Sequence, residues 1–430
     1  MKIAVAFGKH ELMLTLPDGP RYEVIRAQSA QPLASAPQVL EAALDQPLGC
    51  APLVERARDC RSAAISVCDI TRPAPNAFIL PPVLTRLRQA GISPADMTIL
   101  IATGLHRAAT TEELNIILGP DIASRYRVVN HDARNLAAHR HLGSTRRDTP
   151  VYIDERFMAA DLHLTLGLIE PHLMLGFSGG RKLIAPGLAA EQTIKRIHSP
   201  RFMRDPLAIE GSIRENPLHA ELLEIARIGR HDFMVDVTLT AARQISGIFA
   251  GAPEQAHAAG VDFLSESSAV DLDEPVDAVI TSAAGYPLDL TFYQTIKGIT
   301  AAEHILKPGG KILVLSECCE GIGSPEFSAM LRQYVGPQEY LDRIQNAPVD
   351  VDQWQLEKLA LVEQKHDLLL YTPNVEKKEL GSLAASSYDS PAEAIEALFS
   401  ELPKPARVAI IPEGPYAFAR IATFARPLME

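Results

Sequence analysis

The chain has 430 residues, too many for one ordinary hydrophobic core, so two or three domains are expected. Its 47% hydrophobic and 22% charged residues are typical of a globular protein, and its net charge of −12 argues against nucleic acid or an anionic membrane as a partner. No apolar run reaches the roughly 18 residues that a membrane helix needs.

The N-terminal segment and the cysteines indicate the cellular compartment in which the protein lies. Residues 1–17 alternate apolar and polar side chains like a strand and lack the apolar core of a signal peptide. The five cysteines have neither the spacing of a disulfide framework nor that of a metal knuckle. We therefore predict a reduced, cytoplasmic protein.

Short apolar runs alternate with helical patterns, which indicates an α/β architecture. In the first part of the chain, strands are predicted at 62–67, 98–102 and 162–169, and helices at 82–90 and 191–197. Polar or ionisable groups follow each strand directly. Because open α/β sheets bind ligands at the carboxyl ends of their strands, these groups are candidates for a site.

A second unit is predicted after the acidic stretch 271–275. It contains strands at 276–281 and 311–316, a helix at 291–306 and a last strand at 406–411. The pattern resembles a dinucleotide-binding fold, but its first loop lacks the GxGxxG phosphate fingerprint. We place the domain boundary near residue 270, giving an N-terminal domain 1–270 and a C-terminal domain 271–430.

The stretch GFSGGRKLIAPG, residues 176–187, places one lysine on a glycine-rich turn. A phosphate loop requires Gly, four spacers and then Gly-Lys-Ser/Thr. Here only three residues separate Gly176 from Gly180, and Arg181 precedes the lysine. The stretch is therefore not that loop, and it holds Lys182 for another purpose.

Several polar residues lie where functional groups concentrate, at element ends and in turns marked by glycine or proline. Three histidines are of this kind: His106, His172 and His198. Arg72 follows a predicted strand, and arginine is the preferred clamp for a carboxylate, although a surface salt bridge is the alternative. The run 139–141 (His-Arg-His) could form a metal site, but solvent exposure is the favoured interpretation.

Together these stretches resemble the nickel-dependent lactate racemase family over nearly the whole chain. The resemblance is carried by DITRP (69–73), TGLHRAATTEEL (103–114), EPHLMLGFSGGRKLIAPGLAAEQTIKRIH (170–198), YQTIKG (293–298) and DQWQ (352–355). It implies two α/β domains with Rossmann-like sheets and an active site in the cleft between them.

The resemblance also implies a cofactor. In this family a lysine, here Lys182, is bonded covalently to a nickel-pincer nucleotide, a pyridinium mononucleotide with two thiocarboxyl arms, and a histidine matching His198 binds the nickel. The glycines would let the backbone approach the cofactor, and Ser178 could meet its phosphate. The implied cofactor-binding residues are Lys182, Asp69, Ile70, Thr71, Arg72, Ser178, Gly179 and Gly180. Proteins that synthesise the cofactor are implied partners.

The implied function is racemisation of a 2-hydroxy acid by reversible hydride transfer to the cofactor. Removing the α-hydrogen as a proton would place a second negative charge beside the carboxylate, whereas hydride removal leaves a neutral ketone. His106 and His172 match the family's pair of proton donors and acceptors. The implied substrate-binding residues are Arg72, Gln294, Lys297 and Trp354, with core packing an equal alternative for Trp354.

The substrate is left open by the sequence. Lactate is the first expectation, and malate, larger aromatic or aliphatic 2-hydroxy acids and aldonates are alternatives. A non-catalytic nickel-cofactor carrier is a further alternative, but it would need only Lys182 and His198. An NAD-dependent dehydrogenase is disfavoured by the missing GxGxxG fingerprint.

Overall fold

The computed structural model describes residues 1–240 and 242–421, which form two compact units. Unit A comprises residues 29–198 and 205–267, and unit B comprises residues 1–28, 199–204 and the chain from 268 onward. The strands are β1 (Lys2–Phe7), β2 (His10–Thr15), β3 (Arg21–Val24), β4 (Ala63–Cys68), β5 (Met97–Ala102), β6 (Arg127–Asn130), β7 (His139–Ser144), β8 (Pro150–Asp154), β9 (Leu162–Leu168), β10 (Pro171–His172), β11 (Gly176–Phe177), β12 (Phe233–Leu239), β13 (Ile245–Gly251), β14 (Ala269–Leu272), β15 (Val276–Ser282), β16 (Leu306–Leu315), β17 (Asp367–Tyr371), β18 (Ala385–Ser387), β19 (Arg407–Ile411) and β20 (Phe418–Ile421).

The helices connect these strands. The α-helices are α1 (Ala36–Asp45), α2 (Leu53–Arg56), α3 (Asn76–Gln89), α4 (Thr111–Leu118), α5 (Pro120–Arg125), α6 (Glu155–Met158), α7 (Glu191–Ile197), α8 (Pro200–Met203), α9 (Pro217–Ile228), α10 (Pro253–Ser268), α11 (Phe292–Glu303), α12 (Pro325–Arg332), α13 (Pro337–Ile344), α14 (Gln353–Glu363) and α15 (Pro391–Ser400). Short 3₁₀ helices include one at Gly180–Leu183. Within the described residues, none of the helices combines the length and apolarity needed to cross a membrane.

Unit A is built on a six-stranded sheet in the order β13-β12-β9-β4-β5-β6. Its strands are parallel except for β13, which pairs antiparallel with β12. All six residues of β4 and all seven of β9 are buried, which explains their continuous apolar runs, since a central parallel strand is covered on both faces. The sheet thus provides a rigid platform whose carboxyl edge ends in polar loops.

Unit B has a second six-stranded sheet, in the order β18-β17-β16-β15-β19-β3, with every pair parallel. The two units together give the mixed α/β architecture with parallel sheets that the sequence predicts. The first residues of the chain form the hairpin β1–β2, followed by the edge strand β3. The alternation within residues 1–17 is therefore that of two strands.

The observed division into two units differs from the predicted single boundary near residue 270 in two segments of the chain. Residues 1–28 belong to unit B because β3 pairs with β19 from the far end of the chain. Residues 199–204 also belong to unit B, where Arg204 binds Glu357 through Nε and Oε1 at 2.6 Å. These assignments depend on contacts between residues that are distant in sequence, and local composition does not reveal such contacts.

Most predicted elements lie within one or two residues of the observed ones, with four exceptions. Strand β16 begins at Leu306, five residues before its predicted start at 311. Helix α3 begins at Asn76 and runs through Pro81 and Pro82, so the predicted start at 82 is wrong. Helix α11 ends at Glu303, because residue 306 already begins β16. Strand β19 is followed by β20, which pairs with β14, so β19 is not the last strand.

Candidate active site

Three adjacent strands of unit A bring their following loops together. Val67 of β4 is paired with Leu166 of β9 on one side and with Ile101 of β5 on the other. The strands are parallel and in register, so their carboxyl ends lie at one edge of the sheet. The loops that follow contain the predicted groups at 69–72, 103–106 and 170–172. The structure therefore gathers these three stretches at one sheet edge.

Asp69 orients His106. The buried Asp69 carboxylate lies 2.7 Å from Nδ1 of His106 and accepts the hydroxyl of Thr71 at 2.6 Å. Burial alone would raise the pKa of Asp69, but hydrogen bonds from His106 and Thr71, with the charge of Arg72, hold it below its usual value. A carboxylate only accepts, so Nδ1 of His106 carries hydrogen and Nε2 of the neutral ring is the basic nitrogen.

Arg72 is held by Glu170 through an ion pair of 3.0 Å between Nε and Oε1. Both side chains are about three-quarters buried, so the pair is partly shielded from water. A second acid, Glu210, is buried, and its pKa is raised to about 8 by burial and by the charge of Glu170. At neutral pH Glu210 is therefore mostly uncharged, and Glu170 is the carboxylate that pairs with Arg72.

His172 lies in a two-residue strand pairing, β10 with β11, opposite Gly176. Gly176 has a φ of +77°, and a Cβ there would collide with the carbonyl oxygen of Ser212, so only glycine fits. The backbone N–H of Met174 points to Nδ1 of His172 at 3.4 Å. An N–H only donates, so this contact favours Nε2 as the hydrogen-bearing nitrogen of His172.

Lys182 lies in the 3₁₀ helix that follows the glycine turn, and backbone bonds fix this segment. The carbonyl of Lys182 accepts the N–H of Gly187 at 3.0 Å, and the carbonyl of Gly187 accepts the N–H of Gly104 at 3.0 Å. Ser66 of β4 donates its hydroxyl to the carbonyl of Leu183 at 2.8 Å. The lysine segment is therefore tied both to the central strand and to the loop that carries His106.

The glycine turn is shaped by contacts within the protein. Gly179 has a φ of +90°, and a Cβ there would collide with the carboxylate of Asp236. The same carboxylate accepts the N–H of Gly180 at 2.7 Å. Ser178 donates its hydroxyl to Leu168 O at 2.8 Å. Gly179 is thus required by a neighbouring protein atom, and the Ser178 hydroxyl is bonded within the loop. The cofactor contacts suggested from the sequence for these residues stay a prediction.

His198 ends helix α7 and has a defined tautomer. Its Nδ1 lies 2.8 Å from the carbonyl oxygen of Ile194, which can only accept, so Nδ1 bears the hydrogen and Nε2 is the unprotonated nitrogen. Burial, together with the charge of Lys182, lowers the pKa of His198 to about 4 although the bond to Ile194 opposes this. The ring is therefore neutral at physiological pH, in the form that binds metals.

The remaining predicted residues belong to unit B. Gln294 and Lys297 both lie in helix α11, and the side-chain oxygen of Gln294 is buried without a hydrogen-bond partner in the described part of the chain. Trp354 lies in helix α14 and is only 8% exposed. Helix α14 is joined to α11 by Gln355, which donates to the carbonyl of Tyr293 at 3.0 Å. A buried, unpaired amide oxygen is what a hydroxyl-bearing ligand could satisfy.

Two family models match this chain. The lactate racemase N-terminal domain matches residues 7–211, and the lactate racemase C-terminal domain matches residues 272–417. The chain belongs to the lactate racemase family. It is accordingly a racemase, an enzyme of the isomerase class.

Known lactate racemases are similar to this chain over most of its length. A lactate racemase from Thermoanaerobacterium thermosaccharolyticum is 32% identical over 417 residues, covering 96% of this chain and 97% of the relative. A lactate racemase from Lactiplantibacillus plantarum is 34% identical over 384 residues, covering 88% and 90%. The solved lactate racemase apoprotein from T. thermosaccharolyticum superposes with a TM-score of 0.91 at 31% identity, covering 98% of this chain and all of that one.

Two residues that support the site of this racemase were not singled out from the sequence. Glu170 pairs with Arg72, and Asp236 holds the glycine turn. An acid within the otherwise apolar strand β12 was the available signal for Asp236, because a fully buried carboxylate needs partners. The run at 139–141 makes local contacts instead, with His139 bound to Asn135 O at 2.9 Å.

Proposed function

We propose that this chain racemises lactate or a closely related 2-hydroxy acid, with a nickel-pincer nucleotide bonded to Lys182. The observation that carries the proposal is that His106 and His172 lie on loops that follow two strands of one sheet edge, with strand β4 between them. Racemisation requires one base and one acid in each direction, on opposite sides of the reacting carbon. The pair would supply both, with a neutral imidazole as the base and an imidazolium as the acid.

The residues of unit A fit the proposed cofactor. Nickel(II) binds imidazole nitrogen well, and His198 offers an unprotonated Nε2 while its Nδ1–H is fixed by Ile194. Lys182 is near enough for its charge to affect the pKa of His198. Within residues 1–240 and 242–421, no group of three His, Cys, Asp or Glu side chains could hold a metal. The other nickel donors would therefore come from the pincer arms and ring.

The cofactor, when bound, would supply an electrophilic centre for the α-hydrogen. The chain's own residues would handle the substrate and the hydroxyl proton. His106 would accept that proton at Nε2, with Asp69 stabilising the imidazolium that results, and His172 in its imidazolium form would donate one. Arg72, oriented by Glu170, would bind the substrate carboxylate.

The residues of unit B would complete substrate binding. Gln294 presents a buried amide oxygen that could accept the substrate hydroxyl, and Lys297, one helical turn later, would add a positive charge for the carboxylate. Trp354, which is buried, is proposed to shape this part of the site. A non-catalytic carrier is disfavoured, because it would have no use for Gln294 or the two histidines.

Turnover of single-enantiomer acids in heavy water tests the function and its mechanism together. Cofactor-loaded protein would be given L-lactate, D-lactate, malate, an aromatic 2-hydroxy acid and an aldonate, and the products would be analysed by chiral chromatography and NMR. We expect lactate to be racemised fastest and its α-protium to be retained, because the histidines move only the hydroxyl proton.

Two results would contradict the proposal in different ways. Extensive deuterium at the α-carbon would mean that a histidine removes the α-hydrogen as a proton, which would overturn the mechanism and leave the racemase activity standing. No turnover of any acid by protein with full nickel and adduct occupancy would favour the carrier. Protein without cofactor is the control, and it should be inactive.

Removing the imidazole at 198 tests the metal ligand. We expect His198→Ala to keep the covalent adduct on Lys182 but to lose most of its nickel and its activity, because the proposed protein ligand of the nickel is gone. Intact-protein mass spectrometry would report the adduct, and metal analysis would report the nickel. His219→Ala, which changes a histidine of helix α9, is the matched control. Nickel occupancy equal to that of the control would remove His198 from the site.

A further inference from the structure

A buried cation lies behind the glycine turn. Arg181 is only 2% exposed, and its guanidinium donates to backbone carbonyls that include Phe177 O at 2.9 Å. Its Nε is buried and has no hydrogen-bond partner among the described residues. No carboxylate in the part of the chain that the structure describes forms a salt bridge with Arg181. A buried charge without a counter-ion is costly, so this arrangement requires an explanation.

The neighbouring groups do not supply the missing negative charge. Asp236 acts on Arg181 electrostatically, but burial raises the pKa of Asp236 to about 7, so this acid is only partly ionised at neutral pH. Burial also lowers the pKa of Arg181, to about 9. Nε2 of His257 lies 2.6 Å from Arg181 Nη1 and 2.7 Å from Ser178 O. One nitrogen cannot both accept from the guanidinium and donate to the carbonyl, so one of these two contacts is not a hydrogen bond, and Nε of Arg181 has no acceptor in either case.

A cavity of about 60 Å³ opens beside this cluster and is lined by Arg181, His231 and His257. Helix α9 contributes Ala226 to the lining. The volume exceeds the ~10–15 Å³ that one water molecule needs, and it is too small for a nucleotide. Arg227 and Glu254 also line it, but they neutralise each other in an ion pair of 2.6 Å. The walls are therefore cationic or neutral.

We propose that this cavity binds a small monovalent anion of the size of chloride, which serves as the counter-ion of Arg181. None of the residues assigned above to cofactor or substrate lines the cavity, so the site is separate from the proposed active site. Arg181 holds the carbonyls of the turn that precedes Lys182, so the anion would stabilise the lysine segment. The inference does not depend on the proposed reaction.

Thermal unfolding of the full chain in different salts tests this inference. The melting temperature would be measured in sodium chloride and in sodium methanesulfonate, a bulkier monovalent anion, at equal ionic strength and pH 7. Since a ligand that binds only the folded state stabilises it, we expect chloride to raise the melting temperature by on the order of 2 °C. Crystals soaked in bromide should show an anomalous peak in the cavity, in contact with Arg181.

A matched pair of variants in helix α9 locates the effect. Ala226 is 4% exposed and lines the cavity, so Ala226→Leu should fill it and abolish the chloride effect. Ala220, in the same helix, is exposed, so Ala220→Leu should keep the full effect. Equal melting temperatures of the unmodified protein in the two salts, with no bromide peak in the cavity, would overturn the proposal. So would a chloride effect that persists in folded Ala226→Leu.

Discussion

Lys182→Ala is expected to abolish both the covalent cofactor and racemase activity while leaving the fold intact. The segment around this lysine is held by backbone bonds, such as that from Gly187 N–H to Lys182 O at 3.0 Å, which alanine keeps. The amine is the proposed attachment point and alanine offers no nucleophile in its place. Intact-protein mass spectrometry should therefore show the unmodified mass, and turnover should fall to that of cofactor-free protein.

The control for this variant is Lys195→Ala, in helix α7. Lys195 pairs with Glu191 at 2.8 Å on a partly exposed helix surface, so its loss should cost little stability and leave the adduct in place. Both variants should melt close to the unmodified protein. A full-mass cofactor adduct on Lys182→Ala would refute the attachment point, even if activity were lost.

Replacing either His106 or His172 with asparagine is expected to reduce racemisation by roughly 10²–10⁴-fold, the usual contribution of a positioned acid or base. Either change should impair both directions, because each histidine acts as base for one enantiomer and as acid for the other. The adduct and the nickel should remain, since neither histidine is proposed to bind the cofactor. Initial rates from L- and D-lactate, with mass and metal analysis, would measure these effects.

His141→Asn is the matched control, because His141 is exposed and stacks on Tyr152 at 4.5 Å. It should keep full activity. Asp69→Asn adds a distinction between the two histidines: it should weaken the base His106, which Asp69 orients, and leave the contact of His172 with Met174 unchanged. Unimpaired turnover by either His106→Asn or His172→Asn would remove that residue from the proton-transfer pair.

Much of this protein follows from its sequence alone. Buried parallel strands are marked by continuous apolar runs, so β4, β5 and β9 could be predicted nearly to the residue, as could helix α7. The motifs that follow the strands identified the family, which the matches over 7–211 and 272–417 bear out. Arg72, His106 and His172 were visible as polar groups at strand ends, whereas Gln294, Lys297 and Trp354 were candidates only through the family resemblance.

Only the tertiary structure decided how those residues are held. The orientation of His106 depends on Asp69, which is 37 residues away in the sequence, and no local pattern encodes that pairing. The glycine turn owes its form to Asp236, which is 56 residues from Gly180 in sequence. The edge strand β3 likewise pairs with β19, which lies near the other end of the sequence. Periodicity and turn residues report what each segment prefers by itself, whereas partners distant in sequence are chosen by packing and by the need to satisfy buried polar groups.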